Sequence, residues 1–144
     1  MYKVIIIEDD PMVASINKQY VELTSSFHVE ATFKNGILAL QYLQNCTVDL
    51  IILDYYTPQM NGDEFIDQLH AAGMTPAIIM VTSANDAETV RRLISRGVTD
   101  YLVKPFEYDR FKAALERFAK RQEELKTSAS ASDLGQAEID RLFS

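Results

Sequence analysis

The chain has little cysteine, little positive charge and no long apolar run. Its single cysteine, Cys46, excludes an internal disulfide framework and a thiolate metal cluster, as is usual for proteins of a reducing cytosol. Fourteen lysines and arginines stand against 21 aspartates and glutamates, which gives a net charge of −7. Because contacts to nucleic-acid phosphates need a basic face, this balance argues against direct nucleic-acid binding by the chain.

The apolar runs have the length of a β-strand, far below the roughly 20 residues that a membrane-spanning helix needs. No signal peptide is apparent, since Tyr2-Lys3 leads straight into a β-branched run and then into acids. We therefore expect a cytoplasmic protein without a membrane anchor. The length of 144 residues predicts one domain with a sizeable core, because chains of about 150 residues bury roughly 70% of their unfolded surface.

Short apolar runs alternate with longer segments of helical period, a pattern typical of an α/β fold with a mostly parallel sheet. The predicted strands cover residues 3–7, 29–33, 50–53, 77–81 and 101–103. The predicted helices cover residues 11–25, 37–44, 62–72, 87–96 and 108–126. The first, third and fourth strands are apolar on both faces, so we expect them in the centre with helices on both sides. The second alternates and is expected at an edge.

Charged residues follow three of these strands. Glu8, Asp9 and Asp10 follow the first, Asp54 follows the third, and Lys104 follows the fifth. Ligands of open α/β sheets bind outside the carboxyl ends of the strands, so we expect these side chains to share one pocket. Carboxylates that close repel one another unless a cation offsets them. The pattern therefore predicts a site for a divalent metal ion.

Four motifs give the chain a resemblance to a known family. They are EDD at 8–10, DYYTPQMNG at 54–62, VTSA at 81–84 and KPF at 104–106. In this order and spacing they resemble the receiver domain of two-component response regulators, from residue 2 to about residue 122. The resemblance implies the flavodoxin-like, doubly wound five-stranded sheet of chemotaxis receivers, with strand order 2-1-3-4-5.

The resemblance also implies roles around a bound Mg²⁺ (or Mn²⁺). Asp54 matches the phosphoacceptor, Asp9 a direct metal ligand, and Glu8 a neighbouring ligand that acts directly or through water. The backbone carbonyl of Tyr56 matches the remaining protein ligand, and such an oxygen set suits Mg²⁺. Two roles stay open for Asp10, a metal contact and the capping of the first helix. Its position just before that helix favours the cap.

The expected function is signalling rather than enzymatic turnover. The resemblance implies phosphoryl transfer from a sensor histidine kinase to Asp54, followed by self-dephosphorylation. Thr82 matches the hydroxyl and Lys104 the ammonium that bind the phosphoryl group, and Tyr101 matches the family's switch aromatic. The new charge would draw Thr82 and Lys104 inward and switch the domain, with a homodimer as the expected product.

The chain departs from the usual receiver pattern at 55–57, where an apolar residue, a variable residue and a methionine are more common than Tyr-Tyr-Thr. Tyr56, two residues past the acceptor, is placed to cover the phosphoryl group against water. We therefore expect slow dephosphorylation.

The composition changes after residue 126, where TSASAS predicts a flexible linker over 127–133. An amphipathic helix then begins with Ile139, Leu142 and Phe143 as its apolar residues and nothing of its own to pack on. We predict a receiver domain at 1–126 and the start of a truncated C-terminal effector domain at 134–144. That segment resembles the region before the DNA-binding domain of citrate- and dicarboxylate-sensing regulators, so DNA would be bound only through the absent domain. A frayed C-terminal helix is the alternative.

Three other functions fit parts of the pattern. A haloacid-dehalogenase-like phosphatase needs a second acid two residues after its aspartate, where Tyr56 stands. A flavodoxin-like carrier needs a phosphate loop after the first strand, where Glu8-Asp9-Asp10 would repel an anionic cofactor. A stand-alone receiver that acts as a phosphorelay shuttle or protein-binding switch remains open as the alternative to transcriptional control.

Overall fold

The computed structural model describes residues 1–129 and 134–143. One parallel sheet contains five strands in the order β2-β1-β3-β4-β5. The strands are β1 Tyr2–Ile7, β2 Phe27–Phe33, β3 Leu50–Leu53, β4 Ala77–Thr82 and β5 Asp100–Val103. The predicted doubly wound α/β fold with order 2-1-3-4-5 is therefore confirmed.

Helices cover both faces of the sheet. They are α1 Pro11–Leu23, α2 Gly36–Leu43, α3 Gly62–Ala71, α4 Ala87–Ser95, α5 Tyr108–Ala129 and α6 Gln136–Leu142. α1 and α5 bury their apolar residues in a cluster on one face, and α2, α3 and α4 bury theirs in a cluster on the other. Within the described residues, no helix is both long and apolar enough to cross a membrane.

The central strands supply both clusters. Val4 and Ile6 of β1 pack into the α1 and α5 cluster, whereas Ile5 and Ile7 pack into the opposite one, as the two-residue period of a strand requires. All four side chains are fully buried. β2 alternates between buried and more exposed residues and lies at the edge, as predicted.

The C-terminal part of the chain differs from the prediction at one boundary. α5 continues to Ala129, so residues 127–129 of the predicted linker are helical. The helix continues because nothing at 127–129 interrupts it, and the Thr127 hydroxyl donates to the Glu123 carbonyl one turn earlier at 3.0 Å. Residues 130–133 of that linker lie outside the described residues. The short helix α6 contacts α5, and the division into receiver, linker and effector stays a prediction.

Candidate functional site

The strand register places the predicted site residues at one edge of the sheet. Ile7 pairs with Leu53, and the backbone N–H of Asp54 donates to the Ile7 carbonyl at 3.0 Å. Asp54 therefore lies beside the residue that follows β1, which is Glu8. On the other side of β4, the N–H of Lys104 donates to the Thr82 carbonyl at 2.9 Å. The carboxyl ends of β1, β3, β4 and β5 thus surround one pocket.

Three carboxylates meet in this pocket. Glu8, Asp9 and Asp54 each offer an oxygen, and the three atoms lie within 4.8 Å of one another. Glu8 and Asp54 are buried, whereas Asp9 is exposed to solvent. Such an all-oxygen donor set with one open side fits Mg²⁺, a hard cation that keeps several of its waters. The residues present therefore suit the ion that the family resemblance implied.

Lys104 holds two of these carboxylates. Its Nζ donates to Oε1 of Glu8 at 2.7 Å and to Oδ2 of Asp54 at 3.2 Å. Burial works against the charge of Lys104, but the hydrogen bond that it donates to Glu8 and the charges of both carboxylates outweigh burial and raise the pKa of Lys104. Burial, with a smaller contribution from the Asp54 carboxylate, raises the pKa of Glu8 despite the hydrogen bond from Lys104. One ammonium against three carboxylates leaves the pocket attractive to a cation.

Thr82 and Tyr101 both contact the loop after β4. The Thr82 hydroxyl is buried and accepts a hydrogen bond from the Ala84 N–H at 3.3 Å. The Tyr101 hydroxyl donates to the Ala84 carbonyl at 2.5 Å. Burial, with a smaller contribution from the Asp86 carboxylate, raises the pKa of Tyr101 to about 12. One residue, Ala84, thus links the predicted phosphoryl-binding hydroxyl to the predicted switch aromatic.

Asp10 caps the first helix. Its Oδ1 accepts hydrogen bonds from the N–H groups of Met12 at 2.9 Å and Val13 at 3.3 Å. The favoured interpretation of Asp10 as an N-cap is confirmed. Among the described residues, the carboxylate cluster comprises Glu8, Asp9 and Asp54, so the structure does not bring Asp10 into it.

The two tyrosines after Asp54 point in different directions. The N–H of Tyr56 donates to Oδ1 of Asp54 at 3.1 Å, and Tyr56 is 56% exposed. The Tyr55 ring is buried and meets the Tyr56 ring edge-on, with 5.0 Å between the centroids. The Tyr55 hydroxyl donates to Asp63 at 2.8 Å. No local pattern in the sequence predicted that contact, because Asp63 lies on a different element.

Comparison with known proteins decides the family. Residues 4–116 match the family model of the response regulator receiver domain. The chain belongs to this receiver family. The match agrees with the sequence, which lacks the second acid of the phosphatase and the phosphate loop of the flavodoxin-like carrier.

Receivers similar to this one occur in several bacteria. The chain is 37% identical over 142 residues to a "Probable C4-dicarboxylate response regulator DctR" of Priestia megaterium, covering 99% of this chain and 61% of the relative. It is 35% identical over 145 residues to the transcriptional regulatory protein DcuR of Escherichia coli K12, covering 99% of this chain and 59% of the relative. This receiver chain thus spans about three fifths of the length of these relatives.

Solved structures of receivers have the same fold. The response regulatory domain of mrkE from Klebsiella pneumoniae superimposes with a TM-score of 0.77 at 24% identity, covering 85% of this chain and 98% of that one. The signal receiver domain of a signal transduction histidine kinase from Syntrophus aciditrophicus gives a TM-score of 0.70 at 26% identity, covering 83% and 91%. At 24% identity, the similarity to the mrkE domain shows a shared fold alone.

Proposed function

We propose that Asp54 is the phosphoacceptor of this receiver and takes its phosphoryl group from a phosphohistidine of a sensor histidine kinase. The observation that carries the proposal is the contact of Lys104 with both Glu8 and Asp54 inside a cluster of three carboxylates. A carboxylate held between an ammonium and a backbone N–H is oriented before the donor arrives. Such preorganisation is the main contribution that a protein makes to phosphoryl transfer.

The transfer step is an in-line displacement. A carboxylate oxygen of Asp54 attacks the phosphorus, the new O–P bond forms as the N–P bond of the phosphohistidine breaks, and the imidazole leaves with the bonding electrons. Hydrogen bonds from Tyr56 N–H and Lys104 Nζ hold the carboxylate in place. Hydrolysis later returns the carboxylate when water attacks the phosphorus and inorganic phosphate leaves.

The cation belongs to the same proposal. Glu8, Asp9, Asp54 and the backbone carbonyl of Tyr56 would hold Mg²⁺ or Mn²⁺. When bound, the ion supplies positive charge that offsets the phosphoryl oxygens during transfer. Asp9 is exposed to solvent, so the side of the site on which Asp9 lies stays open to the waters that Mg²⁺ retains.

The switch would follow from the contacts of Ala84. A phosphoryl oxygen on Asp54 is a stronger acceptor than a neutral group, so Lys104 and the Thr82 hydroxyl would turn toward it. Thr82 would then leave the N–H of Ala84, and the loop before α4 would lose one of its two side-chain contacts at that residue. Tyr101, the other contact, would adjust with the loop.

The output of the whole protein is inferred from its relatives. Proteins of similar sequence are named as C4-dicarboxylate response regulators and transcriptional regulators. We therefore propose a cytoplasmic transcriptional regulator that forms homodimers on phosphorylation and binds DNA through a domain that follows the predicted linker. Reading the gene beyond codon 144 tests this: a helix-turn-helix pattern supports transcription, whereas a stop codon supports the stand-alone shuttle.

Labelling with a small phosphodonor tests the phosphoacceptor. With acetyl phosphate and Mg²⁺, the mass of the chain should increase by one phosphoryl group, and chelation of the metal should prevent it. Asp54→Asn should abolish the increase. Asp49→Asn is the matched control, because Asp49 lies at the opposite end of β3 and accepts from Lys3 N–H at 2.8 Å. Equal labelling of the Asp54 variant and the unmutated chain would refute the proposal.

A further inference from the structure

Four side chains connect the loop after Asp54 to α3 and α4. Asp63 Oδ2 accepts from the Tyr55 hydroxyl at 2.8 Å and from Arg92 through Nη2 at 2.8 Å and Nε at 3.1 Å. Arg92 Nη2 also donates to the Tyr55 hydroxyl at 3.2 Å. Arg96 donates to Asp63 Oδ1 at 3.2 Å. We name Tyr55, Asp63, Arg92 and Arg96 the α4 latch.

The tyrosine of the latch is fixed in position. Its ring is buried, and its carbonyl accepts a hydrogen bond from the Gly62 N–H at 2.9 Å. A Cβ on Gly62 would lie 2.8 Å from Cδ2 of the Tyr55 ring, so only glycine lets the ring pack this closely against the start of α3. The hydroxyl therefore cannot move far unless the backbone next to Asp54 moves with it.

α4 has less apolar burial than α3 to hold it against the domain. Among the described residues of α4, Leu93 alone is buried, whereas α3 buries Gly62, Phe65, Ile66 and Leu69. Burial of apolar surface is the dominant stabilising contribution to helix packing, so α4 receives little of it. The hydrogen bonds and ion pairs of Arg92 and Arg96 therefore make up much of what holds α4 against the domain.

The latch is an ion-paired network. Burial disfavours the charged form of Asp63, but the hydrogen bonds from Arg92, Tyr55 and Arg96 outweigh burial and lower the pKa of this carboxyl. The hydrogen bond to Asp63 raises the pKa of Arg92 above its ordinary value. Both groups are thus charged at neutral pH, and hydrogen bonds between charged groups are the stronger kind.

We infer that the α4 latch sets the resting position of α4 and makes Tyr55 a positioning residue that couples this helix to the loop carrying Asp54. Release of the latch would shift the unmodified chain toward the arrangement that phosphorylation favours. The coupling to phosphorylation rests on the function proposed above. The holding of α4 in the unmodified chain does not, so the two are separable by experiment.

Hydrogen exchange of the 144-residue chain tests the holding of α4. Tyr55→Phe keeps the ring and removes a hydroxyl that makes two hydrogen bonds, so amides of α4 should exchange at least about fivefold faster, the factor expected for the loss of one of them. Amides of α1 should be unchanged. Tyr2→Phe is the matched control. It removes a tyrosine hydroxyl that donates to Glu123 at 2.9 Å, and neither residue belongs to α4. Arg92→Gln should loosen α4 at least as much as Tyr55→Phe.

Modification with acetyl phosphate and Mg²⁺ tests the coupling. In the unmutated chain, modification should increase the rate of amide exchange in α4. In Tyr55→Phe the further increase should be smaller, because the latch is already open. If Asp54 is labelled but neither latch variant alters α4, the latch inference is overturned and the proposed function stands. If the variants loosen α4 but no labelling occurs, the proposed function and the coupling are overturned together.

Discussion

The Nζ atom of Lys104 lies 3.2 Å from Oδ2 of Asp54, although 50 residues separate the two in the sequence. The contact forms because β3 and β5 run parallel on either side of β4 and end at the same edge of the sheet. Lys104 also contacts Glu8 at 2.7 Å. Its ammonium thus lies between two carboxylates that would also bind a divalent cation.

Removal of this ammonium should change how stability depends on metal. Lys104→Ala leaves Glu8 and Asp54 facing each other, so without metal the free energy of unfolding should fall by about 1–3 kcal/mol. Mg²⁺ should then stabilise the variant more than the unmutated chain, because it no longer shares the carboxylates with a lysine. Urea unfolding with chelator and with Mg²⁺ measures both effects. Lys112→Ala, on the exposed side of α5, is the control and should behave like the unmutated chain. If Mg²⁺ stabilised the unmutated chain, Lys104→Ala and Lys112→Ala equally, the role of Lys104 beside the two carboxylates would be contradicted.

Tyr56 should lengthen the life of the acyl phosphate. Tyr56 is 56% exposed and its N–H contacts Asp54, so its side chain belongs to a residue adjoining the phosphoacceptor and is expected to exclude attacking water from the phosphoryl group. Tyr56→Ala should shorten the lifetime, on the order of tenfold if shielding is worth about 1.4 kcal/mol. Decay of the labelled chain after removal of acetyl phosphate measures it. Tyr56→Phe keeps the ring and should retain the long lifetime, and an unchanged lifetime in the alanine variant would exclude shielding.

Much of the fold follows from local sequence. The apolar runs of β1, β3 and β4 indicated central strands because both faces of those strands are buried. The N-cap of α1 followed from Asp10 and the proline after it. The ends of elements were less certain: β2 begins at Phe27 rather than residue 29, because Tyr2 and Lys3 of β1 pair with Phe27 and the residue after it. Such pairing depends on a neighbouring strand and leaves no local signal.

The hydrogen bond between Tyr101 and Ala84 should give a pH-dependent contribution to stability. Burial raises the pKa of Tyr101 to about 12, above its ordinary value of 10.0. A group with a raised folded-state pKa stabilises the fold below its unfolded pKa, and that contribution is lost as pH rises through the folded value. The stability difference between the unmutated chain and Tyr101→Phe should therefore shrink between pH 10 and pH 12. A difference that stays constant over this range in urea unfolding would contradict the raised pKa.

Asp100 should contribute stability with the opposite pH dependence. It accepts from Arg110 Nη2 and from the Tyr101 N–H, each at 2.8 Å, and it pairs with Arg117. Burial works against its charge, but these partners outweigh burial and lower the pKa below 3.8. The contribution is therefore complete above pH 3.8 and is lost as pH falls through the lower folded-state value.

The corresponding variant is Asp100→Asn. It should lower the free energy of unfolding by about 1–2 kcal/mol at pH 7, and the difference should diminish below pH 3.8. Urea unfolding at several pH values measures this. Glu116→Gln, on the exposed side of α5, is the control and should differ little from the unmutated chain. A loss for Asp100→Asn that is as large at pH 3 as at pH 7 would be inconsistent with the lowered pKa.

The site was predictable only where strand ends determine it. Residues that directly follow strands, such as Glu8, Asp54 and Lys104, meet because parallel strands end together. The α4 latch was not predictable, because Asp63 and Arg92 lie 29 residues apart on two helices whose relative position the sequence pattern does not specify. The tyrosine at position 55 was visible as a departure from the receiver pattern, but its partners were not.

Identification of the modified residue tests the central claim most directly. After labelling with acetyl phosphate and Mg²⁺, borohydride reduces an aspartyl phosphate to homoserine with loss of phosphate, which marks its position in the chain. Peptide mass spectrometry should then find homoserine at position 54 and unchanged aspartate at positions 9 and 10. A reduced residue at 9 or 10 with an intact Asp54, or no reduced residue after confirmed labelling, would contradict the account.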